Sequence, residues 1–174
     1  MSERVKWISM TGMGIALFVV FSLCLQVPVF ENYYLCLGYV VVAVYCYSFG
    51  VTSGTIVAVL GVVIYCILIG GLRGLPGWAL GNVVIGIACG LAFHKAREMQ
   101  NKALRATLCI LAVIVSCAAG ILGIKSIVEA ILYAQPLWAR VLKNSYAFVA
   151  DVAVLLMSLP ICVIVEGGRK RIGS

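Results

Sequence analysis

The residue of this sequence with the most evident chemistry is Asp151, a carboxylate in the last apolar segment. No charged residue occurs from Val152 to Val165, so Asp151 lies about two helical turns inside a stretch of membrane-spanning character. A charged side chain at that depth costs about 2.5 to 3.5 kcal/mol and normally faces a bundle interior or a water-filled cavity. Asp151 therefore indicates a binding or transport site, or else a buried carboxylate that a neighbouring helix satisfies.

Further polar and aromatic residues are predicted at the same, outer end of the chain's helices. Asn144 precedes Asp151 by two helical turns, so both side chains can point into one cavity. A mostly apolar cavity with a few converging polar groups is the usual form of a small-molecule site. The candidate substrate-binding residues are Tyr33, Tyr34, Tyr39, Arg73, Trp78, Asn82, Asn144, Tyr146 and Asp151.

Several of these residues also have a purely structural interpretation. The tyrosines and Trp78 suit the aromatic belts that anchor membrane helices at the lipid–water interface. The amide of Asn82 can be satisfied by a neighbouring helix instead of a ligand. Both interpretations stay open at the level of the sequence.

The chain lacks the residue sets of membrane enzymes. Its single histidine, His94, and one deep carboxylate supply neither a nucleophile with its base nor a metal site. The eight cysteines are scattered through apolar runs without Cys-x-x-Cys spacing, which is typical of small buried fillers. A phosphate-binding loop is also missing, so uphill transport would need ATP hydrolysis by another protein. We expect a protein that is not an enzyme and that uses no cofactor and no metal.

The elements that must position these residues are membrane helices. Hydrophobic residues make up 64% of the 174 residues and charged residues only 11%, far from the roughly 25% of soluble proteins. The apolar runs have the length of about 20 residues that an α-helix needs to cross a bilayer. We predict an all-α membrane protein with a single transmembrane domain over 1–174. Its six helices are expected at about 6–26, 33–49, 51–69, 76–93, 106–124 and 144–165.

The loops and charges give this bundle an orientation. Nine of the thirteen Lys and Arg residues fall on the side of the two termini, which predicts that both termini are cytoplasmic. Topology thus accounts for the net charge of +7 without a nucleic-acid partner. Two external segments are expected to cover the outer mouth. The glycine-rich loop 70–78 is one, and 125–143 is the other, with a short amphipathic helix that lies across the mouth as a lid.

The order of several short motifs resembles a known family. A tight Phe49-Gly-x-x-x-Gly54 turn joins helices 2 and 3, and Pro76-Gly-Trp78 begins helix 4, which continues with Gly86-x-x-x-Gly90. A long fifth loop then precedes a helix with an Asn and an Asp. In this order and over its full length the chain resembles the substrate-binding S components of energy-coupling factor (ECF) transporters, the bacterial vitamin importers.

The resemblance implies a mechanism and partners. An S component binds a vitamin or related micronutrient with high affinity from outside, topples in the lipid of the bacterial cell membrane against a transmembrane scaffold subunit, and relies on two ATPase subunits. Gly12 and Ala16 stand where the family carries the Ala-x-x-x-Ala pair that docks on the scaffold, although the pair could instead pack within the chain.

The ligand is not fixed by this resemblance. Pyridoxine-like and hydroxymethylpyrimidine-like compounds, cobalamin and pantothenate all stay open. The alternative functions are a self-sufficient channel or a proton-coupled carrier that uses Asp151, and a structural membrane subunit without a ligand.

Overall fold

The computed structural model describes residues 2–24, 26–30 and 33–172, and it contains a helical bundle with one short β-hairpin. The elements in chain order are α1 (Glu3–Cys24), β1 (Gln26–Phe30), β2 (Tyr33–Cys36), α2 (Gly38–Ser48), α3 (Val51–Leu68), α4 (Leu75–Glu98), α5 (Lys102–Cys117), a π-helical segment (Ala118–Lys125), α6 (Ser126–Leu132) and α7 (Leu137–Ile172).

The described residues form six helical spans, five long and one short. Five are long and apolar enough to cross a membrane by themselves, if α5, the π segment and α6 are counted as the one continuous helix that they form. The sixth, α2, has 11 residues and covers about 16 Å, roughly half of the hydrocarbon thickness. Almost all of α2 is buried, so the longer helices and not lipid surround it. The predicted all-α membrane fold is thereby confirmed.

The bundle has two ends, which we name by their contents. The terminal end holds the start of α1, the α2–α3 turn, the α4–α5 connection and the end of α7. The hairpin end holds β1, β2, the α3–α4 loop and the α6–α7 turn.

The β-hairpin replaces the beginning of the predicted second helix. That helix was expected over 33–49, but α2 begins at Gly38 and residues 33–36 pair with 26–30 as antiparallel strands. Pro28 disfavours a helix on one side of the hairpin, and the run of aromatic residues before Gly38 favours an extended chain. Pairing the two strands also satisfies backbone groups that a loop at this depth would leave unpaired.

The segment expected to form a lid is instead part of two long helices. The prediction for 125–143 was a separate amphipathic helix, yet α5 continues through the π segment to Leu132 and α7 already begins at Leu137. The orientation of this amphipathic helix is the reverse of that in a soluble protein, with its apolar side facing outward. Ile127 and Ile131 are exposed on the outside of the bundle while Glu129 is buried, since the surroundings of this helix are lipid and its polar face turns inward.

Glycines let α4 approach its neighbours closely. A Cβ on Gly120 of the π segment would lie 2.7 Å from the carbonyl oxygen of Gly81, and a Cβ on Gly81 would lie 2.7 Å from that of Gly120. On another face of α4, a Cβ on Gly86 would lie 2.7 Å from the Cα of Thr55 in α3. Small residues at such positions are the usual means by which membrane helices pack backbone to backbone.

We predict that Gly120→Ala destabilises the fold by about 1 to 3 kcal/mol, because the added methyl group must push the π segment away from α4. Gly123→Ala is the matched control in the same segment, where the nearest atom to a new Cβ is 3.8 Å away. Thermal unfolding in detergent should show a lower Tm for Gly120→Ala only. Equal Tm values for the two variants would contradict the proposed close contact.

Candidate functional site

A chain of hydrogen bonds joins α2, α3 and α4 inside the bundle, toward the hairpin end. The Trp78 indole N–H donates to the Tyr39 hydroxyl oxygen at 3.0 Å, and that hydroxyl donates to Asn82 Oδ1 at 2.7 Å. The Asn82 amide donates in turn to the backbone carbonyl of Ala58 at 2.9 Å. Tyr39 and Asn82 are fully buried. We call these three side chains, together with Asp151, the interior network.

Asp151 completes this network from α7. Its carboxylate is buried, has the Tyr39 hydroxyl as a hydrogen-bond partner, and interacts through space with the ammonium group of Lys125. Lys125 ends the π segment, and its Nζ lies 5.7 Å from the centre of the Trp78 ring. An ammonium over an indole face is an attractive cation–π contact. Lys125 therefore holds a positive charge beside both the indole and the carboxylate.

The Tyr39 hydroxyl has two acceptors as neighbours, Asn82 Oδ1 and the Asp151 carboxylate, but only one hydrogen. Tyr39 has one hydroxyl hydrogen, which points to Asn82 Oδ1 when that bond forms. The Asp151 carboxylate, with two oxygens and no hydrogen when ionised, then needs a donor from elsewhere. A ligand N–H or O–H group, or a water molecule, can fill that role.

A second polar cluster lies between α6 and α7, about two turns of α7 closer to the hairpin end than Asp151. The Asn144 amide nitrogen lies 3.0 Å from Ser126 Oγ and 3.0 Å from Glu129 Oε2 and donates to both oxygens. Arg140 Nη1 lies 3.8 Å from Glu129 Oε2. All these side chains are buried or nearly so. We call Ser126, Glu129, Arg140 and Asn144 the upper cluster.

The π segment explains how the upper cluster is oriented. A π-helix has wider turns than an α-helix, so its backbone hydrogen bonds do not follow the α-helical pattern. The Ser126 hydroxyl donates to the carbonyl oxygen of Ile121, five residues earlier, at 3.1 Å. π-Helical turns often occur at functional sites, because the extra residue changes which side chains face inward. Here they bring Lys125, Ser126 and Glu129 toward α4 and α7.

Two arginines share one aromatic ring at the α6–α7 turn. The guanidinium carbon of Arg140 is 4.1 Å from the centre of the Tyr133 ring, and that of Arg73 from the α3–α4 loop is 5.7 Å from it. Arg73 is exposed, so its positive charge faces the surface of the hairpin end. These contacts tie two loops of this end together through one phenol ring.

The structure brings some of the predicted site residues together and separates others. Tyr39, Trp78, Asn82 and Asp151 form the interior network, Asn144 lies in the upper cluster, and Arg73 lies on the surface near it. Tyr146 is 42% exposed on α7 and belongs to neither group. The backbone of Tyr33 and Tyr34 lies in β2, and their side chains fall outside the described part of the chain.

Sequence reasoning did not identify the residues that α6 and its neighbours contribute. Lys125 and Glu129 both fall in the segment 125–143, which was expected to form a lid across the outer mouth. Ser126, Tyr133 and Arg140 gave no signal by themselves. One signal could have found them: a membrane helix with one apolar face and one polar face is expected to turn the apolar face to lipid and the polar face into the bundle. Among the described residues no cluster of His, Cys, Asp and Glu could hold a metal ion.

Comparison with known proteins places this geometry in a family. Residues 2–165 match the family described as "ECF-type riboflavin transporter, S component", a range that includes the whole interior network and the upper cluster. The chain belongs to this family of S components. The resemblance inferred from the order of motifs is therefore confirmed.

A solved structure supports the same fold. This S component is similar to the S component for biotin of an ECF-type ABC transporter, with a TM-score of 0.62 and 17% sequence identity. The alignment covers 98% of this chain and 95% of that chain. At this identity the likeness shows the fold alone. A comparison of the sequence with curated proteins gives no match.

The family match confirms the broad function. The protein is a membrane-embedded S component of an ECF transporter for a vitamin, and a substrate-binding subunit of this kind is not an enzyme.

We predict that Tyr39→Phe lowers the free energy of unfolding by about 1 to 3 kcal/mol, because it leaves the Trp78 N–H and Asn82 Oδ1 without their buried partner. Tyr146→Phe removes the same atom from a ring that is 42% exposed and should have a smaller effect. Denaturant unfolding in detergent micelles measures both. A Tyr39→Phe protein as stable as the wild type would show that the interior network does not stabilise the fold.

Proposed function

We propose that this S component binds riboflavin at the hairpin end, between the interior network and the upper cluster, and delivers it to a scaffold subunit with two ATPases. The family match over residues 2–165 carries the proposal. Riboflavin is not one of the four ligands that the sequence left open. It shares a flat ring with the pyridoxine-like and hydroxymethylpyrimidine-like compounds among them.

The chemistry of riboflavin suits the groups available. Its isoalloxazine ring is flat and largely apolar, its imide edge presents one N–H donor between two carbonyl acceptors, and its side chain carries hydroxyls. When the Tyr39 hydrogen points to Asn82, the Asp151 carboxylate can accept a hydrogen bond from an imide or hydroxyl hydrogen of the ligand. Lys125 can donate to the ligand's carbonyl groups.

Aromatic side chains supply the apolar part of the site. Trp78 is only partly buried, and the Tyr65 ring packs edge-on against it, with the ring centres 5.7 Å apart. The edge-on contact fixes the plane of the indole, and a fixed ring costs little entropy when a flat ligand stacks on it. Tyr39 and Asn82 act from beneath this surface, since both are fully buried and hold Trp78 and Asp151 in place.

The experiment that tests the ligand is native mass spectrometry of the detergent-purified protein, followed by titration with a vitamin panel. We expect co-purified riboflavin, and a rise in Tm on adding it, because a ligand that binds only the folded state stabilises that state. Tight binding of another vitamin with no response to riboflavin would overturn the choice of ligand. Accumulation of a solute by the protein alone in liposomes under a pH gradient would favour the proton-coupled carrier.

We predict that Asp151→Asn and Trp78→Ala each weaken riboflavin binding about tenfold or more, equivalent to about 1.4 kcal/mol. The first removes the charged acceptor with little change of shape, and the second removes the stacking surface. Glu98→Gln is the matched carboxylate-to-amide control at the terminal end, where Glu98 is exposed. Isothermal titration calorimetry measures all three. Unchanged affinity in both site variants, with folded protein, would remove Asp151 and Trp78 from the site.

The exposed face of α1 supports the proposed docking on a scaffold subunit. Gly12 and Ala16 are both exposed, and no atom lies within 4 Å of a Cβ built on Gly12. Gly14, by contrast, turns inward against Tyr45 and Val57. The small pair therefore leaves a shallow, open strip on which another membrane helix can pack closely.

We predict that the double variant Gly12→Leu, Ala16→Leu abolishes co-purification of the scaffold subunit and vitamin uptake in cells while it leaves vitamin affinity intact. Bulky side chains fill the strip but lie outside the binding site. The control is Ala119→Leu, Ala153→Leu, which adds similar bulk at exposed positions on other helices. Uptake and affinity are measured for both proteins. Undiminished uptake in the Gly12, Ala16 variant would show that docking uses another face.

A further inference from the structure

A groove with apolar walls and a basic mouth lies between α5 and α7 at the terminal end. Its volume is about 410 Å³. Ile110 of α5 and Leu159, Pro160 and Val163 of α7 form much of its wall. Ile110 and Val163 are more than 40% exposed, so the groove opens to the side of the bundle where the membrane lies.

Two cations stand at one end of this groove. Lys102 and Arg105 lie one helical turn apart in the first turn of α5, and both line the groove. The guanidinium of Arg105 lies 5.8 Å from the centre of the Tyr47 ring, a cation–π contact that holds it near the mouth. Among the residues that the structure describes, none that lines the groove is acidic.

The composition of the groove selects the kind of ligand. In a bilayer any lipid can place an acyl chain against apolar walls, since lipid tails are as apolar as the side chains. The headgroup is the part that differs between lipids, and paired cations at the membrane surface attract anionic headgroups. A soluble anion would contact the two cations at the mouth but would leave the apolar part of the groove empty.

We propose that this groove binds one anionic phospholipid, with its phosphate between Lys102 and Arg105 and an acyl chain along Ile110, Leu159 and Val163. Pro160 lacks a backbone N–H, so α7 lacks one backbone hydrogen bond at the wall of the groove. The lipid lies against α5 and α7, whereas α1 packs mainly on α2 and α3. The site is therefore separate from the vitamin site and from the proposed scaffold-docking face.

The test compares phosphatidylglycerol with phosphatidylcholine. Delipidated protein is titrated with equimolar mixtures of the two lipids, and the lipid retained per chain is counted by native mass spectrometry. We expect retention of one phosphatidylglycerol with a preference of about tenfold over phosphatidylcholine, because two cations contact the headgroup. Equal retention of both lipids by the wild-type protein would overturn the proposal.

Two pairs of variants locate the site. Lys102→Gln, Arg105→Gln should lose the preference, and Arg4→Gln, Lys95→Gln, which removes two exposed cations from the same end, should keep it. Val163→Trp fills the groove and should lose the bound lipid, whereas Met157→Trp, at a position 76% exposed on α7, should retain it. Size-exclusion profiles establish that each variant is folded. A preference that survives either groove variant would place the lipid elsewhere and contradict the proposal.

Discussion

The requirement that buried polar groups be paired within the protein shapes the centre of this bundle. Lipid offers no hydrogen-bond partner, so an amide, a phenol or an indole N–H inside a membrane helix must find one on another helix. The bonds from Trp78 to Tyr39 and from Tyr39 to Asn82 meet this requirement and join α4 to the short helix α2. When the Tyr39 hydrogen points to Asn82, the Asp151 carboxylate keeps acceptor capacity to spare. The groups that pair inside the bundle are thus also those of the candidate site.

The short helix and the π segment are two consequences of building such a centre. Because α2 spans only about half of the membrane, it is shorter than its neighbours, and the chain ahead of it forms a β-hairpin whose facing edges pair with each other. The π segment gives up regular helical bonds, and Ser126 restores one of them through its side chain. In return the helix turns Lys125 and Glu129 inward to face α4 and α7. Local irregularity in this protein therefore supplies the polar groups of the candidate site.

The distribution of charge gives the two ends of the bundle different properties. At the hairpin end, Arg73 and Arg140 share the Tyr133 ring, and Glu129 is the carboxylate that the Arg140 guanidinium approaches. At the terminal end, Lys102 and Arg105 lie at the mouth of an apolar groove whose described lining residues include no acidic one. Charges of opposite sign thus lie together at the hairpin end, near the candidate site. The cations at the terminal end suit the proposed anionic headgroup.

The sequence by itself determined the membrane class, the helical fold and the family, because hydropathy and the order of glycine and proline motifs depend only on the neighbours in the chain. It also placed Asp151 in the interior, since an apolar run surrounds it. Only the tertiary structure decided that Glu129 and Lys125 face inward, that Tyr146 faces outward, and that residues 33–36 form a strand. Those outcomes depend on which helix packs against which face. A single helical period cannot tell a face that meets lipid from a face that meets another helix.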